Sequence, residues 1–99
     1  IGPWVVTPEE FNPGDARMTA RINGELWSDG NIGQIHWSFP QMIVHVSMDE
    51  ILYPGDIFGS GTVGGGCGLE LDRWLQPGDV VELEVEGIGV LRNRVVSRE

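Results

Sequence analysis

The residues best placed to do chemistry lie in one stretch, Gly59-Ser60-Gly61-Thr62-Val63-Gly64-Gly65-Gly66-Cys67-Gly68, and just beyond it at Glu70. A run so poor in side chains suits close approach of backbone to another group, or residues at positive φ, and is the best candidate for a site. Gly59 to Gly64 formally matches G-x-G-x-x-G, the dinucleotide fingerprint. That reading requires a helix to start inside the motif within a βαβ unit, and the further glycines at 65 and 66 would break it. The chain contains no lysine, so a Walker phosphate loop is excluded. Glu70 stands between Leu69 and Leu71 in a short apolar patch ending at Asp72. A carboxylate in such surroundings should be paired or hydrogen-bonded. On local grounds alone it also reads as a strand glutamate facing water.

Other reactive side chains are scattered. His36, His45 and Cys67 are far apart in sequence and match no zinc spacing, so the chain is not expected to hold a metal alone. His45 falls on the surface or boundary of an expected helix. His36, between Ile35 and Trp37, is open to either a structural or a ligand role. Cys67 has no basic neighbour to activate it as a nucleophile and reads as a small loop residue.

The elements that must position these residues are mostly strands. Met18 to Asn23 alternates as a half-buried strand, Asn23-Gly24 is a strong type I′ hairpin signal, and Glu25 to Ser28 returns as its partner. Asp29 to Gly33 reads as a loop. Ser38 opens the one convincing helix, because Ser38-x-x-Gln41 fits a capping box and Pro40 is tolerated in a first turn. Phe39, Met42, Ile43 and Val46 share one face of that helix, which is expected to pack on a sheet. Pro-Gly-Asp recurs at Pro13, Pro54 and Pro77, each copy reading as a turn that feeds a strand. In Val80 to Glu86, Val81, Leu83 and Val85 alternate with Glu82, Glu84 and Glu86, and Gly87-Ile88-Gly89 turns the chain back into Val90 to Val96. Pro3 to Thr7 is a short β-prone run that starts at residue 1 without a cap or turn, as if cut from something longer.

With 99 residues the chain allows a single domain, 1–99, with one modest core, burying roughly 65% of its unfolded surface. Its 15 glycines and 6 prolines favour turns and strands over long helices. The expected class is mainly β with one or two short helices. Six arginines against 15 acidic residues give a formal charge of −9, which removes the electrostatic basis for binding nucleic acid or an acidic membrane. One cysteine, no signal-like amino terminus and no apolar run of about 20 residues point to a cytoplasmic setting without a membrane span.

Taken together, Gly2-Pro3-Trp4-Val5-Val6, Arg21-Ile22-Asn23-Gly24-Glu25, Tyr53-Pro54-Gly55-Asp56-Ile57, Gly59-Ser60-Gly61-Thr62, Leu75-Gln76-Pro77-Gly78-Asp79-Val80-Val81-Glu82 and Gly89-Val90-Leu91-Arg92-Asn93 carry a resemblance. In order and spacing the chain resembles the carboxyl-terminal part of the fumarylacetoacetase (fumarylacetoacetate hydrolase) family. The resemblance implies part of a mixed β-roll or β-sandwich domain whose carboxylate cluster binds Mg²⁺, Mn²⁺ or Ca²⁺. It implies an enzyme of aromatic catabolism, a homodimer when complete, acting on a small oxo acid. Such enzymes cleave a carbon–carbon bond in a diketo acid, or isomerise or decarboxylate 2-oxo or 2-hydroxydienoate acids. The family's acidic metal ligands, catalytic histidine and lysine would lie upstream of the segment matched by Ile1, so this chain alone is expected to be inactive. Two roles carry over: Thr62 as a substrate contact, and Glu70 as the glutamate that orients the histidine while water is deprotonated. In that setting the metal polarises the substrate carbonyl.

Around Asn31 to Trp37 the chain departs from the family, reading Ile32-Gly33-Gln34-Ile35-His36 where many members carry Thr-Ser-x-Met. Gln34 and His36 are thereby candidates for setting specificity, beside a purely structural loop. A non-catalytic β-rich binding module descended from such an enzyme is the reading of a different class.

Overall fold

The computed structural model describes residues 1–98. Two hairpins form one antiparallel sheet in the order β2-β1-β3-β4, from β1 (Arg17–Ile22), β2 (Glu25–Asn31), β3 (Val80–Val85) and β4 (Gly89–Arg94). One helix, α1 (Phe39–Ser47), and two 3₁₀ turns, Ile32–Gln34 and Gly68–Leu71, complete the secondary structure. The mainly β class with short helices is what the composition and alternation predict.

Register makes the sheet two-faced. Met18 opposes Val85, Ala20 opposes Leu83, Ile22 opposes Val81, and Leu83 opposes Leu91, so these side chains share one apolar face. The other face carries Thr19, Arg21, Glu82, Glu84 and Arg92. There Arg92 meets Glu82 at 2.8 Å and Arg21 meets Glu84 at 3.3 Å. Such exposed pairs contribute about 0–1 kcal/mol each, so they set register more than stability.

The turns work as the sequence suggests, with one exception. Asn23 takes a left-handed φ of 52°, and its side chain ties the β1–β2 turn to the last Pro-Gly-Asp turn. Its Nδ2 donates to Asp79 Oδ1 at 2.8 Å and its Oδ1 accepts from Val80 N at 2.9 Å. Asp79 Oδ2 accepts from Gln76 N, and Asp56 Oδ2 accepts from Tyr53 N, both at 2.8 Å, so those two Pro-Gly-Asp copies share one hydrogen-bond pattern. The copies at Pro13 and Pro77 lead into β1 and β3. The copy at Pro54 does not: Ile57 and Phe58 form no strand among the described residues, and Ile57 stands exposed.

Three further expectations are corrected. β2 continues past Ser28 to Asn31, because Asp29 on the polar face takes a two-pronged contact from Arg17, at 2.9 and 2.7 Å. Pro3 to Thr7 is not a strand. The capping box of α1 is present, with Ser38 N donating to Gln41 Oε1 and Gln41 N to Ser38 Oγ, but the helix does not pack on the sheet. None of the extensive packing between elements involves α1, none of its residues is buried, and Ile43, Val44 and Met48 are exposed. The sheet's apolar face is taken up instead by residues 61–75.

The core is thin: among the described residues only Ala16, Ile22, Ile32 and Thr19 are buried, with Ile22 at 5% exposure and Trp37 left at 60%. The radius of gyration, 15.4 Å, exceeds the roughly 13 Å of a compact domain of about 100 residues. A single sheet layer leaves large apolar side chains without a second layer to cover them.

Candidate functional site

The glycine segment crosses the apolar face of the sheet. Gly61, Thr62, Val63 and Gly66 lie beside Ala20 and Leu83 along an open hollow of about 340 Å³ that Met18, Ser28, Val85 and Leu91 also line. That is near the small end of ligand-site volumes. A second hollow of about 450 Å³ lies under Cys67, Leu69, Leu71 and Trp74, over Ile22 and Val81.

Two turns shape the segment. Gly66 N donates to Val63 O at 2.8 Å, with Gly65 at φ +75°, a conformation costly for a residue with a Cβ. The 3₁₀ turn Gly68–Leu71 follows, ended by Asp72 in the left-handed region, where Asp is among the residues that tolerate it. Arg73 then fastens the chain to β2: its guanidinium sits 5.3 Å from the Trp27 ring centroid and 3.3 Å from Glu25. A register shift between Ala20 and Arg21, opposite Trp27, bulges β2 at the ring that Arg73 covers.

Glu70 is on this 3₁₀ turn and not on a strand. Its Oε2 accepts from Gly65 N at 2.6 Å, so the carboxylate is hydrogen-bonded although it faces solvent. It is exposed, and among the described residues its other oxygen has no hydrogen-bond partner. Thr62 and Glu70 therefore belong to one folded segment, joined through Gly65, but only Thr62 lines the first hollow; Glu70 lines neither.

The remaining candidates have local roles. Gln34 Oε1 accepts from Asn31 N at 3.1 Å, closing a capping box on the first 3₁₀ turn. His36 is exposed and meets Trp37 edge-on, with ring centroids 4.6 Å apart. His45 lies in the last turn of α1, and Cys67 is an exposed free thiol. Among the described residues no three His, Cys, Asp or Glu side chains come together to hold a metal ion.

A family model for the carboxyl-terminal part of fumarylacetoacetate (FAA) hydrolase matches residues 1–96. The chain belongs to the fumarylacetoacetate hydrolase family. Solved members align over nearly the whole of this chain. A fumarylacetoacetate hydrolase from psychrophilic Exiguobacterium antarcticum is 37% identical with a TM-score of 0.87, the match covering 98% of this chain and 35% of that one. A 5-carboxymethyl-2-hydroxymuconate delta-isomerase from Mycobacterium smegmatis is 30% identical with a TM-score of 0.83, covering 99% and 36%. A maleylpyruvate hydrolase from Sphingobium sp. SYK-6, solved with manganese(II) and pyruvate, is 27% identical with a TM-score of 0.85, covering 99% and 35%. The chain spans about a third of the length of the curated relatives it matches, 33% in a Staphylococcus saprophyticus protein that is 34% identical.

The solved relatives of this chain thus include both hydrolases and an isomerase. Two residues that shape the family segment here, Val63 and Arg73, carry no signal in the motifs. Arg73 could have been noticed as the one arginine between Arg21 and Arg92 in a chain without lysine. Val63 could have been noticed as the one large apolar side chain among the glycines.

Proposed function

We propose that this chain forms one wall of the active site of a divalent-metal-dependent hydrolase that cleaves a carbon–carbon bond in a small diketo acid of the fumarylacetoacetate or acylpyruvate type. The observation that supports it is the Glu70–Gly65 hydrogen bond, which fixes one carboxylate oxygen beside the loop bearing Thr62 and leaves the other for a partner. Through that second oxygen Glu70 accepts from an imidazole N–H supplied by residues outside these 99. It thereby holds the tautomer in which the other ring nitrogen takes a proton from water, and it stabilises the imidazolium that results. Thr62 Oγ1 and nearby glycine amides donate hydrogen bonds to a substrate oxygen. The ion, Mg²⁺ or Mn²⁺ with Ca²⁺ as a further candidate, is held in this reading by groups outside this chain. Substrate carboxylates likewise need positive groups from elsewhere, given the net charge of −9. In this reading the complete enzyme is a cytoplasmic homodimer, which sedimentation of the full-length protein would check.

A proton-shuffling activity, isomerase or decarboxylase, is the second reading, favoured by the likeness to the mycobacterial isomerase. It uses Thr62 and has no need of a Glu70–histidine pair. Steady-state kinetics of the full-length protein with Mn²⁺ and an acylpyruvate separate the two. Hydrolysis with Glu70→Gln and Glu70→Ala should lose kcat by about 10²–10⁴-fold, the usual size of a general-base contribution. Thr62→Ala should mainly raise KM, and the 99-residue chain by itself should turn nothing over. Unchanged hydrolysis in Glu70→Ala, or turnover by the short chain, would sink this reading.

A further inference from the structure

We infer that Val63, seated in a notch that Gly30 leaves in β2, sets the height at which Thr62 is presented and so governs how tightly the site holds its substrate. The inference rests on the proposed role of Thr62 as a substrate contact. The glycines fall into two groups. A Cβ at Gly59 or Gly64 would meet nothing within 4 Å, so those points have room for a side chain. A Cβ at Gly30 would stand 2.7 Å from Val63 Cγ1, closer than carbon atoms pack, and at an ordinary contact distance of 3.6 Å from Val63 Cβ.

Between Gly59 and Gly64 only Val63 is even half-buried, and it is the residue next to Thr62. Valine is stiff at χ1, so its methyl cannot swing aside when the notch is filled; the backbone must move with it. The turn behind it has no slack. Gly66 N holds Val63 O at 2.8 Å, and a Cβ at Gly66 would press on that carbonyl at 2.7 Å and reach Thr62 Cβ at 3.8 Å. A displacement of Val63 is therefore passed to Thr62. Gly30 and Val63 are positioning residues, acting on substrate only through the threonine hydroxyl.

The test is a set of variants of the full-length protein, assayed with Mn²⁺ and an acylpyruvate, with pyruvate binding followed by calorimetry. Gly30→Ala should raise KM and the pyruvate Kd on the order of fivefold, a coupling of ordinary size for residues in contact, with kcat nearly unchanged. Val63→Ala should do the same by removing the seat. In the Val63→Ala background Gly30→Ala should add nothing, since no methyl remains to clash. In the Thr62→Ala background it should again add nothing, because the affected hydroxyl is gone. Should Gly30→Ala misfold, Val63→Ala compared with and without Thr62→Ala carries the same test. A Gly30→Ala or Val63→Ala effect that persists in full beside Thr62→Ala overturns the inference, as does a wild-type KM in both single variants. Thr62→Ala with wild-type KM overturns the proposed role of Thr62 and this inference together; a weakened Thr62→Ala beside unaffected seat variants overturns the inference alone.

Discussion

Each strand of the sheet is tied along its length to a neighbour, and β1 is paired on both sides, to β2 and to β3. Residues 61–73 hang instead on a few single contacts: Val63 in the Gly30 notch, Gly66 on Val63, Gly65 on Glu70, and Arg73 on Trp27. A ladder is redundant, because losing one bond leaves its neighbours in register. A loop held at separate points shifts when any one of them changes. The two regions should therefore answer mutation differently, stability failing through the sheet and function through the loop.

The largest effect on stability is expected from Ile22→Ala. Ile22 is the large apolar side chain most completely buried, and it sits where β1 faces Val81 of β3. Truncation should remove about 2–4 kcal/mol, transfer and cavity terms together. Urea unfolding checks this, and a loss below about 1 kcal/mol, the size expected of a peripheral contact, would mean that the sheet is not the stabilising unit.

Much of the sheet was legible because its signals are local. The Asn23-Gly24 turn and the alternation in Val80 to Glu86 each specify their own structure, and the Ser38 capping box needs only Gln41. The glycine segment was legible as a site candidate and not as a shape. Nothing in Thr62 or Glu70 announces that Gly65 joins them, or that a glycine on a distant strand makes room for Val63. Such contacts are set by tertiary packing, which has no period. The packing of α1 failed for a related reason: an amphipathic pattern says that a face is to be covered, and not by what.

A smaller and pH-dependent effect belongs to the turn that joins the two hairpins. Hydrogen bonds from Gln76 N and Asn23 Nδ2 hold the Asp79 carboxyl below the ordinary aspartate range. Its pKa is lower folded than unfolded. The stabilisation it brings is therefore present above the unfolded value and is lost as pH falls through the folded one. Asp29, lowered by its hydrogen bonds from Arg17, behaves alike. Asp79→Asn should lower stability at neutral pH, because either amide orientation turns its NH₂ toward a donor. The variant should also show a shallower decline between neutral pH and pH about 3, below the ordinary aspartate value. Urea midpoints at the two pH values decide it; equal declines would show that Asp79 is not coupled to folding.

Glu70→Ala should be the mildest change to global stability and the most local in its consequence. The hydrogen bond to Gly65 N is short but exposed, and bonds of that kind contribute about 1 kcal/mol or less, since water replaces the lost acceptor. The urea midpoint should barely move while amide exchange at Gly65 speeds up, with exchange at Thr19 and Leu83 in the ladders unchanged. Glu70→Gln separates the two duties of the carboxylate. Its amide oxygen can still accept from Gly65, so exchange there should stay near wild type, whereas the other position becomes an NH₂ that cannot accept from an imidazole. A Glu70→Gln variant that hydrolyses as well as wild type would show that the second oxygen has no partner to orient, and one that speeds exchange at Gly65 as much as Glu70→Ala would show that the amide oxygen does not replace the carboxylate there. A variant with intact loop protection and lost hydrolysis would place the function of Glu70 in that oxygen and its structural role in the one that Gly65 occupies.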